Sequence, residues 1–138
     1  MKYILDASVG LKWVLSESDT PVANRLRDEF KQHVHELLAP DTLPVEIAHA
    51  LTRAERKGLI PKGQAAVLFA DVVTPAPDLH PHLDLLARAI DISSDVRIGV
   101  YDCLYIALAE KEQCPVVTAD QKMLKLFGAH VIALSSLP

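Results

Sequence analysis

The chain has 138 residues, of which 50% are hydrophobic and 23% are charged. This composition excludes an intrinsically disordered protein. A chain of this length buries roughly 70% of its unfolded surface, so it can form one core without disulfides. We therefore expect a single domain over residues 1–138. The formal net charge of −4 excludes the broad basic surface of most nucleic-acid-binding proteins, so contact with such a partner would need a local basic rim or bound cations.

The chain has no segment typical of export or membrane insertion. Asp6 interrupts the first apolar run well before it reaches the length of a signal-peptide core. No apolar stretch approaches the roughly 18 residues of a membrane span. Cys103 and Cys114 lie in or beside apolar runs and lack Cys-x-x-Cys spacing, which is typical of free thiols in a reducing compartment. The sequence therefore predicts a cytoplasmic protein that does not enter a membrane.

Short apolar runs alternate with amphipathic segments along the chain. Strands are predicted at residues 2–6, 37–40, 115–118 and 130–134. Helices are predicted over about 8–15, 20–35, 42–58, 61–72, 83–90, 101–112 and 121–127. Ser8 and Thr20 are the predicted N-caps of the first two helices, Pro21 and Pro61 fit first helical turns, and residues 74–78 form a rigid connector. Such alternation predicts an α/β fold with a mainly parallel sheet.

Four acidic residues stand in apolar surroundings. Asp6 and Asp120 each follow a predicted strand, and open parallel sheets bind ligands beyond the carboxyl ends of their strands. Glu46 and Asp102 each lie near the start of a predicted helix, with apolar neighbours on both sides. An acid near a helix start has a simpler explanation, since it complements the helix dipole. The four together predict one acidic pocket at the edge of the sheet.

We expect a pocket that gathers several carboxylates to bind a cation. Two like charges about 4 Å apart repel by roughly 4 kcal/mol at an effective dielectric constant near 20. Carboxylates gathered without a cation would therefore have raised pKa values. Oxygen ligands without Cys or a conspicuous His favour Mg²⁺ or Mn²⁺ over zinc. A divalent ion held by carboxylates and substrate phosphate suits hydrolysis of phosphodiester bonds.

The same residues lie in segments that resemble the four motifs of PIN domains, in the same order. These segments are residues 3–9 (YILDASV), 44–51 (PVEIAHAL), 100–109 (VYDCLYIALA) and 117–120 (VTAD). In detail they resemble the VapC toxins of bacterial toxin–antitoxin pairs. The resemblance implies a three-layer α/β/α fold with a mainly parallel sheet of four to five strands. It also implies an Mg²⁺- or Mn²⁺-dependent endoribonuclease acting on tRNA, rRNA or mRNA, a homodimer, and inhibition by a VapB-type antitoxin whose C-terminal segment enters the active-site groove.

When the family's motif positions are matched to this sequence one by one, the resemblance implies that the catalytic residues are Asp6, Glu46, Asp102 and Asp120. Asp6 and Asp102 would hold the principal metal ion, and Asp120 would join them directly or through water. Glu46 would orient the attacking water or help to hold a second ion. Both a one-metal and a two-metal arrangement remain open.

Other residues receive supporting roles. Ser8 and Thr118 match the family's hydroxyl positions, which hydrogen-bond to a carboxylate or to water. Arg53 follows Glu46 by seven residues and so lies on the same helical face. Arg53 and Arg97 are candidates for contact with RNA or antitoxin, with solvated surface charge as the alternative. Cys103 departs from the family's usual small residue, but this departure removes no ligand.

Two other classes of protein fit less well. A haloacid-dehalogenase-type phosphatase requires a second Asp two residues after the first, where this chain has Ser8. A response-regulator receiver requires an early acidic pair and a late lysine at a strand end, and neither pattern occurs. A PIN fold that binds RNA or protein without catalysis remains the alternative. Clustered acids disfavour it because they carry an electrostatic penalty when no ion uses them.

Overall fold

The computed structural model describes residues 1–16 and 18–138. Its centre is a five-stranded sheet in the order β3-β2-β1-β4-β5, and every neighbouring pair is parallel. The strands are β1 (Lys2–Leu5), β2 (Glu36–Pro40), β3 (Asp78–His80), β4 (Val116–Thr118) and β5 (Val131–Ala133). The predicted α/β class with a parallel sheet is confirmed.

Helices flank this sheet. They are α1 (Ala7–Leu11), α2 (Thr20–Lys31), α3 (Leu43–Arg56), α4 (Gln64–Val72), α5 (Leu83–Val96), α6 (Val100–Glu112) and α7 (Gln121–Leu126), and a 3₁₀ turn (Leu134–Ser136) follows β5. Helix α6 packs against β1, β2, β4 and α5, while α1 packs against β4 and α3. Within the described ranges, no helix combines the length and the apolarity that crossing a membrane requires.

Burial of the central elements explains why their sequences are continuously apolar. Ile4 in β1 pairs with Leu38 on one side and Val116 on the other, and it is fully buried. Strands covered on both faces show apolar runs instead of alternation. In α6 every residue from 103 to 109 is buried, as expected for a helix enclosed by its neighbours on most sides. These elements are therefore the ones that apolarity predicts best.

The strand order changes direction at β1. From β1 the chain moves outward to β2 and β3, and it then returns to the other side of β1 to form β4 and β5. A crevice forms beyond the carboxyl ends of the strands at such a switch point. Asp6 follows β1 directly and Asp120 lies two residues after β4. The topology therefore places both aspartates beside this crevice.

The predicted N-caps at Ser8 and Thr20 are wrong. Asp6 occupies the N-cap of α1 and Asp19 that of α2, so both hydroxyl residues lie inside their helices. The Ser8 hydroxyl donates a hydrogen bond to Asp6 instead of accepting one from its own helix. Pro21 does lie in the first turn of α2 as predicted.

Two helices end earlier than predicted. Helix α1 ends at Leu11 instead of residue 15, and Trp13 then packs in the core with its indole N–H donating to the Ala23 carbonyl. Helix α2 ends at Lys31 instead of residue 35. The cause is His33, whose φ of 61° is left-handed, the conformation that commonly terminates a helix.

Two further boundaries depend on contacts that a local pattern does not reveal. Helix α4 begins at Gln64 instead of Pro61, because the Glu55 carboxylate of α3 accepts hydrogen bonds from the backbone amides of Gly63 and Ala65. Strand β3 was not predicted. It has only three residues, its Asp78 and Leu79 are exposed, and it lies at the edge of the sheet.

Gly10 lies where α1 packs closely against its neighbours. A Cβ at this position would lie 3.4 Å from Ile47 Cδ1 and 3.7 Å from Val72 Cγ1. Ile47 belongs to α3, the helix that carries Glu46. A single Cβ at Gly10 would therefore make ordinary van der Waals contact with α3 and α4, and the additional γ carbons of a larger side chain would crowd Ile47 or Val72.

We expect Gly10→Val to destabilise the protein by about 1–3 kcal/mol, the usual cost of overpacking a core. Urea unfolding followed by the fluorescence of Trp13, the single tryptophan, measures this loss. The control is Ala87→Val at an exposed position of α5, which should cost only the helix-propensity difference of about 0.5 kcal/mol. Equal losses in the two variants would contradict the close contact.

Candidate active site

A groove of about 630 Å³ lies at the switch point of the sheet. Its lining contains all the acids singled out in the sequence, Asp6, Glu46, Asp102 and Asp120. The remaining lining residues are Ala7, Ser8, Leu11, Val45, His49, Ala50 and Tyr101. Carboxyl groups that are up to 114 residues apart in the chain thus face one cavity with an otherwise largely apolar wall.

Two hydroxyl groups hold the Asp6 carboxylate. Ser8 Oγ donates to Asp6 Oδ2 at 2.6 Å, and Thr118 Oγ1 donates to the same oxygen at 2.8 Å. Because each hydroxyl has a single proton, the 3.4 Å contact between the two hydroxyl oxygens is not a further hydrogen bond. Both bonds go to Oδ2, so neither uses Oδ1.

The backbone after β4 orients these hydroxyl groups. The Ala119 amide donates to Ser8 Oγ at 3.1 Å, and the Asp120 amide donates to Thr118 Oγ1 at 3.0 Å. Each hydroxyl thus accepts from the backbone and turns its own proton toward Asp6. The predicted supporting positions of Ser8 and Thr118 beside a carboxylate agree with these contacts.

Burial makes the Asp6 carboxylate costly to ionise. The residue is only 5% exposed. Desolvation raises the pKa of Asp6 above its ordinary value, and the charges of Asp102 and Asp120 raise it further. The hydrogen bonds from Ser8 and Thr118 act in the opposite direction and lower this pKa. The hydroxyl pair therefore offsets part of the cost of a charge at the end of the central strand.

Glu46 enters the groove from the first turn of α3. Burial raises the pKa of its carboxyl to about 7, and the charges of Asp6 and Asp102 add to this shift. The Tyr105 hydroxyl donates to Glu46 Oε2 at 3.1 Å and partly lowers the pKa. The other oxygen, Oε1, is buried without a hydrogen-bond partner. A buried acceptor of this kind is uncommon and suggests a ligand.

Asp102 and Asp120 are less enclosed and share a lysine. Lys122 Nζ lies 3.5 Å from Asp102 Oδ2, and the Lys122 backbone amide donates to Asp120 Oδ1 at 2.8 Å. Burial raises the pKa of Asp102, and the nearby Lys122 charge lowers it. Asp120 also serves as the N-cap of α7, so part of its position is explained by the helix itself.

The donor set fits Mg²⁺ or Mn²⁺ in its chemistry, because every carboxylate oxygen is a hard ligand. The unpartnered Glu46 Oε1 is an acceptor that a hydrated ion would satisfy. In residues 1–16 and 18–138, however, no three His, Cys, Asp or Glu side chains are arranged so that they could hold a metal ion together. Magnesium commonly takes one or two carboxylates and keeps several waters, so direct ligation by Asp6, Asp102 and Asp120 together stays a proposal.

The two arginines proposed as RNA or antitoxin contacts lie elsewhere. Arg53 and Arg97 are exposed, and neither lines the groove. Lys122 and Tyr105, by contrast, contact acids of the groove. Neither contact was predicted from the sequence. The available signal for Tyr105 was its spacing, since it follows Asp102 by three residues on the same face of α6.

The raised pKa of Glu46 predicts a pH-dependent gain from Glu46→Gln. The folded pKa of about 7 exceeds the ordinary 4.5, so the folded state binds more protons between these values and loses stability as the pH rises. In EDTA we expect Glu46→Gln to raise Tm by several degrees at pH 8, given that about 1 kcal/mol corresponds to roughly 4 °C, and to leave it unchanged at pH 4. Circular dichroism melting curves measure both.

The control for this experiment is Asp28→Asn, at an exposed position of α2, which should change Tm little at either pH. A Tm difference for Glu46→Gln that is the same at pH 4 and pH 8 would contradict the raised pKa.

The chain is similar to known proteins of one family. The family model for the PIN domain matches residues 3–127. The chain is 28% identical over 133 residues to ribonuclease VapC3 of Pyrobaculum aerophilum, covering 95% of this chain and 98% of that protein. It is 32% identical over 87 residues to ribonuclease VapC1 of Mycobacterium tuberculosis, covering 62% and 63%.

Solved structures share the fold. The crystal structure of PAE2754 from Pyrobaculum aerophilum superposes with a TM-score of 0.74 at 19% identity, over 99% of this chain and 85% of that one. A chain of VapBC2 from Rickettsia felis, bound to a DNA fragment from its promoter, superposes with a TM-score of 0.60 at 15% identity, over 96% and 97%. With its parallel sheet, its acidic groove at the switch point and a family match over most of its length, the chain belongs to the PIN-domain family.

Proposed function

We propose that the chain is a VapC-type endoribonuclease that hydrolyses RNA phosphodiester bonds with Mg²⁺ or Mn²⁺. The observation that carries this proposal is the convergence of Asp6, Glu46, Asp102 and Asp120 in one groove. Mutual repulsion and burial raise the pKa of Asp6, Glu46 and Asp102, so the metal-free site is electrostatically unfavourable. The relatives named ribonucleases support the choice of RNA as the substrate.

In this proposal, different acids of the groove supply different ligands to the ion. Asp6 offers Oδ1, because both hydroxyl bonds use Oδ2. Asp102, which is 28% exposed, would join Asp6 directly, and Asp120 would join directly or through water. A bound ion would supply charge stabilisation for the scissile phosphate and lower the pKa of water.

Glu46 is the proposed proton acceptor. Its Oε1 is buried without a hydrogen-bond partner, so this oxygen would orient a water that enters the groove and would take its proton as the water oxygen bonds to phosphorus. A base works best when its pKa lies near the working pH, and Glu46 has a pKa of about 7. As the new bond forms, the bond from phosphorus to the ester oxygen on the far side breaks, and that oxygen leaves with the electron pair and takes a proton from solvent water.

Lys122 offers the nearest positive charge for the substrate. Its side chain is 57% exposed and touches Asp102, so it can reach a phosphate oxygen while remaining near the acids. Such a local charge compensates for the net charge of −4, since phosphate contacts supply much of the affinity for nucleic acid. The RNA class, whether tRNA, rRNA or mRNA, follows from contacts outside the acids.

The proposed protein partner is a VapB-type antitoxin. Val45 and Tyr101 line the groove with 69% and 61% of their surface exposed, next to four acids. A segment with apolar side chains and a basic residue would complement this surface in shape and charge.

Co-expression with a short protein from the adjacent reading frame, followed by co-purification, tests the proposed antitoxin partner. Separate elution of the two chains would contradict it.

The proposed activity predicts severe losses when the acids are replaced. We expect Asp6→Asn to abolish RNA cleavage, and Glu46→Gln to lower kcat by at least about 100-fold, the lower range for loss of a catalytic base. The measurement is cleavage of a mixed RNA pool by purified protein with Mg²⁺, Mn²⁺ or EDTA. Asp28→Asn is the matched control on α2 and should leave the rate unchanged.

Cleavage that persists in EDTA or in Asp6→Asn would contradict the proposal. Calorimetry with Mn²⁺ separates it from the alternative of a non-catalytic PIN module. The proposed enzyme should bind Mn²⁺, and binding should weaken strongly in Asp6→Asn but not in Asp28→Asn. Absence of specific Mn²⁺ binding together with absence of cleavage would favour the non-catalytic module.

A further inference from the structure

Tyr105 is a buried tyrosine whose hydroxyl contacts one of the acids that line the groove. The residue lies in the middle of α6 and is fully buried. Its hydroxyl donates to Glu46 Oε2 at 3.1 Å, across 59 residues of sequence. A buried tyrosine hydroxyl normally needs a polar partner, and here that partner is one of the groove carboxylates.

The hydrogen bond from Tyr105 engages only one of the two carboxylate oxygens of Glu46. A tyrosine hydroxyl has one proton to donate, and it goes to Oε2. The other oxygen, Oε1, has no partner. A free glutamate side chain samples several rotamers, and ordering it has an entropic cost. The Tyr105 bond therefore fixes the carboxylate and decides which oxygen is left for a ligand.

Helix α6 couples this contact to a second acid. Asp102 and Tyr105 are three residues apart on one face of α6, and both point at the groove side of the fold, one as a lining acid and the other as a donor to Glu46. Packing of α6 against the central strands therefore sets the positions of Asp102 and of the Glu46 carboxylate together.

We infer that Tyr105 is a positioning residue, which holds Glu46 in the one orientation that presents Oε1 to the attacking water. This inference rests on the proposed function, in which Glu46 is the proton acceptor. Tyr105 itself touches neither water nor RNA in this scheme. The Ala7 backbone also interacts with the Tyr105 hydroxyl, but the inferred effect on cleavage passes through Glu46, and this distinguishes Tyr105 from a residue that only fills the core.

Tyr105→Phe tests the inference because it keeps the ring and removes only the hydroxyl. We expect kcat for RNA cleavage to fall by about 10-fold, with KM changed less than about twofold, since small errors in the placement of a catalytic group cost one to two orders of magnitude. The matched control is Tyr3→Phe, the same change at a buried tyrosine of β1 whose ring packs against His35. It should leave kcat and KM unchanged.

A double-mutant cycle separates positioning from packing. If Tyr105 acts through Glu46, the double variant Glu46→Gln/Tyr105→Phe should cleave RNA at the same rate as Glu46→Gln alone. A further fall by the factor seen in Tyr105→Phe alone would overturn the inference, as would an unchanged kcat in Tyr105→Phe. A loss confined to KM would also overturn it.

A measurement on the metal-free protein keeps this test independent of the proposed activity. Three-bond NMR couplings of Glu46, assigned with Glu46→Gln, report whether its side chain has one rotamer. We expect one rotamer in the wild type and in Tyr3→Phe, and averaging in Tyr105→Phe. Unchanged couplings would overturn the inference. If the wild type does not cleave RNA and its Glu46 couplings are averaged, both the inference and the proposed function are contradicted. If the wild type does not cleave RNA but Glu46 has a single rotamer that depends on Tyr105, only the proposed function is contradicted.

Discussion

A carboxylate at the end of a fully buried strand is the constraint on which the rest of this structure depends. Asp6 follows β1, the central strand of the sheet, and is 5% exposed. Burying such a charge without partners would cost several kcal/mol. Ser8 and Thr118 donate to it, and the backbone after β4 orients both hydroxyls. The same contacts tie β1, α1 and the end of β4 together, so the site and the centre of the fold are held by one network.

The other acids make this arrangement electrostatically demanding. The charges of Asp102 and Asp120 raise the pKa of Asp6, and the charges of Asp6 and Asp102 raise that of Glu46. Lys122 relieves Asp102 but is largely exposed, so its charge is screened by water. The acidic groove therefore lowers the stability of the fold locally, at the proposed active site. A bound divalent cation would offset this loss.

Sequence predicts the parts of this molecule whose cause is local. The strand before Asp6 and the helix around Asp102 are predictable because their burial on most sides makes them continuously apolar. The roles of Ser8 and Glu55 are not, since the Ser8 hydroxyl also accepts from the Ala119 amide after β4, and the Glu55 carboxylate accepts from backbone amides at the start of the next helix. Strand β3 has too few residues and too exposed an edge to leave a pattern. The grouping of the four acids was predictable from strand ends and helix starts, whereas their individual hydrogen bonds depend on the packed fold.

The acids differ in how firmly they are held, and this difference bears on how the proposed site would combine ion binding with catalysis. Asp6 is fixed by two hydroxyl groups and is almost fully enclosed. Glu46 has one donor, Tyr105, and one free oxygen. Among the described residues, the ion-pair partner of Asp102 is the largely exposed side chain of Lys122. An ion that keeps most of its water needs few rigid ligands, so one fixed aspartate with more adjustable neighbours is sufficient. In the proposed mechanism, the rigidity that a proton acceptor needs would come separately from the buried Tyr105 hydroxyl that donates to Glu46, so the orientation of the base would not depend on how tightly an ion is held.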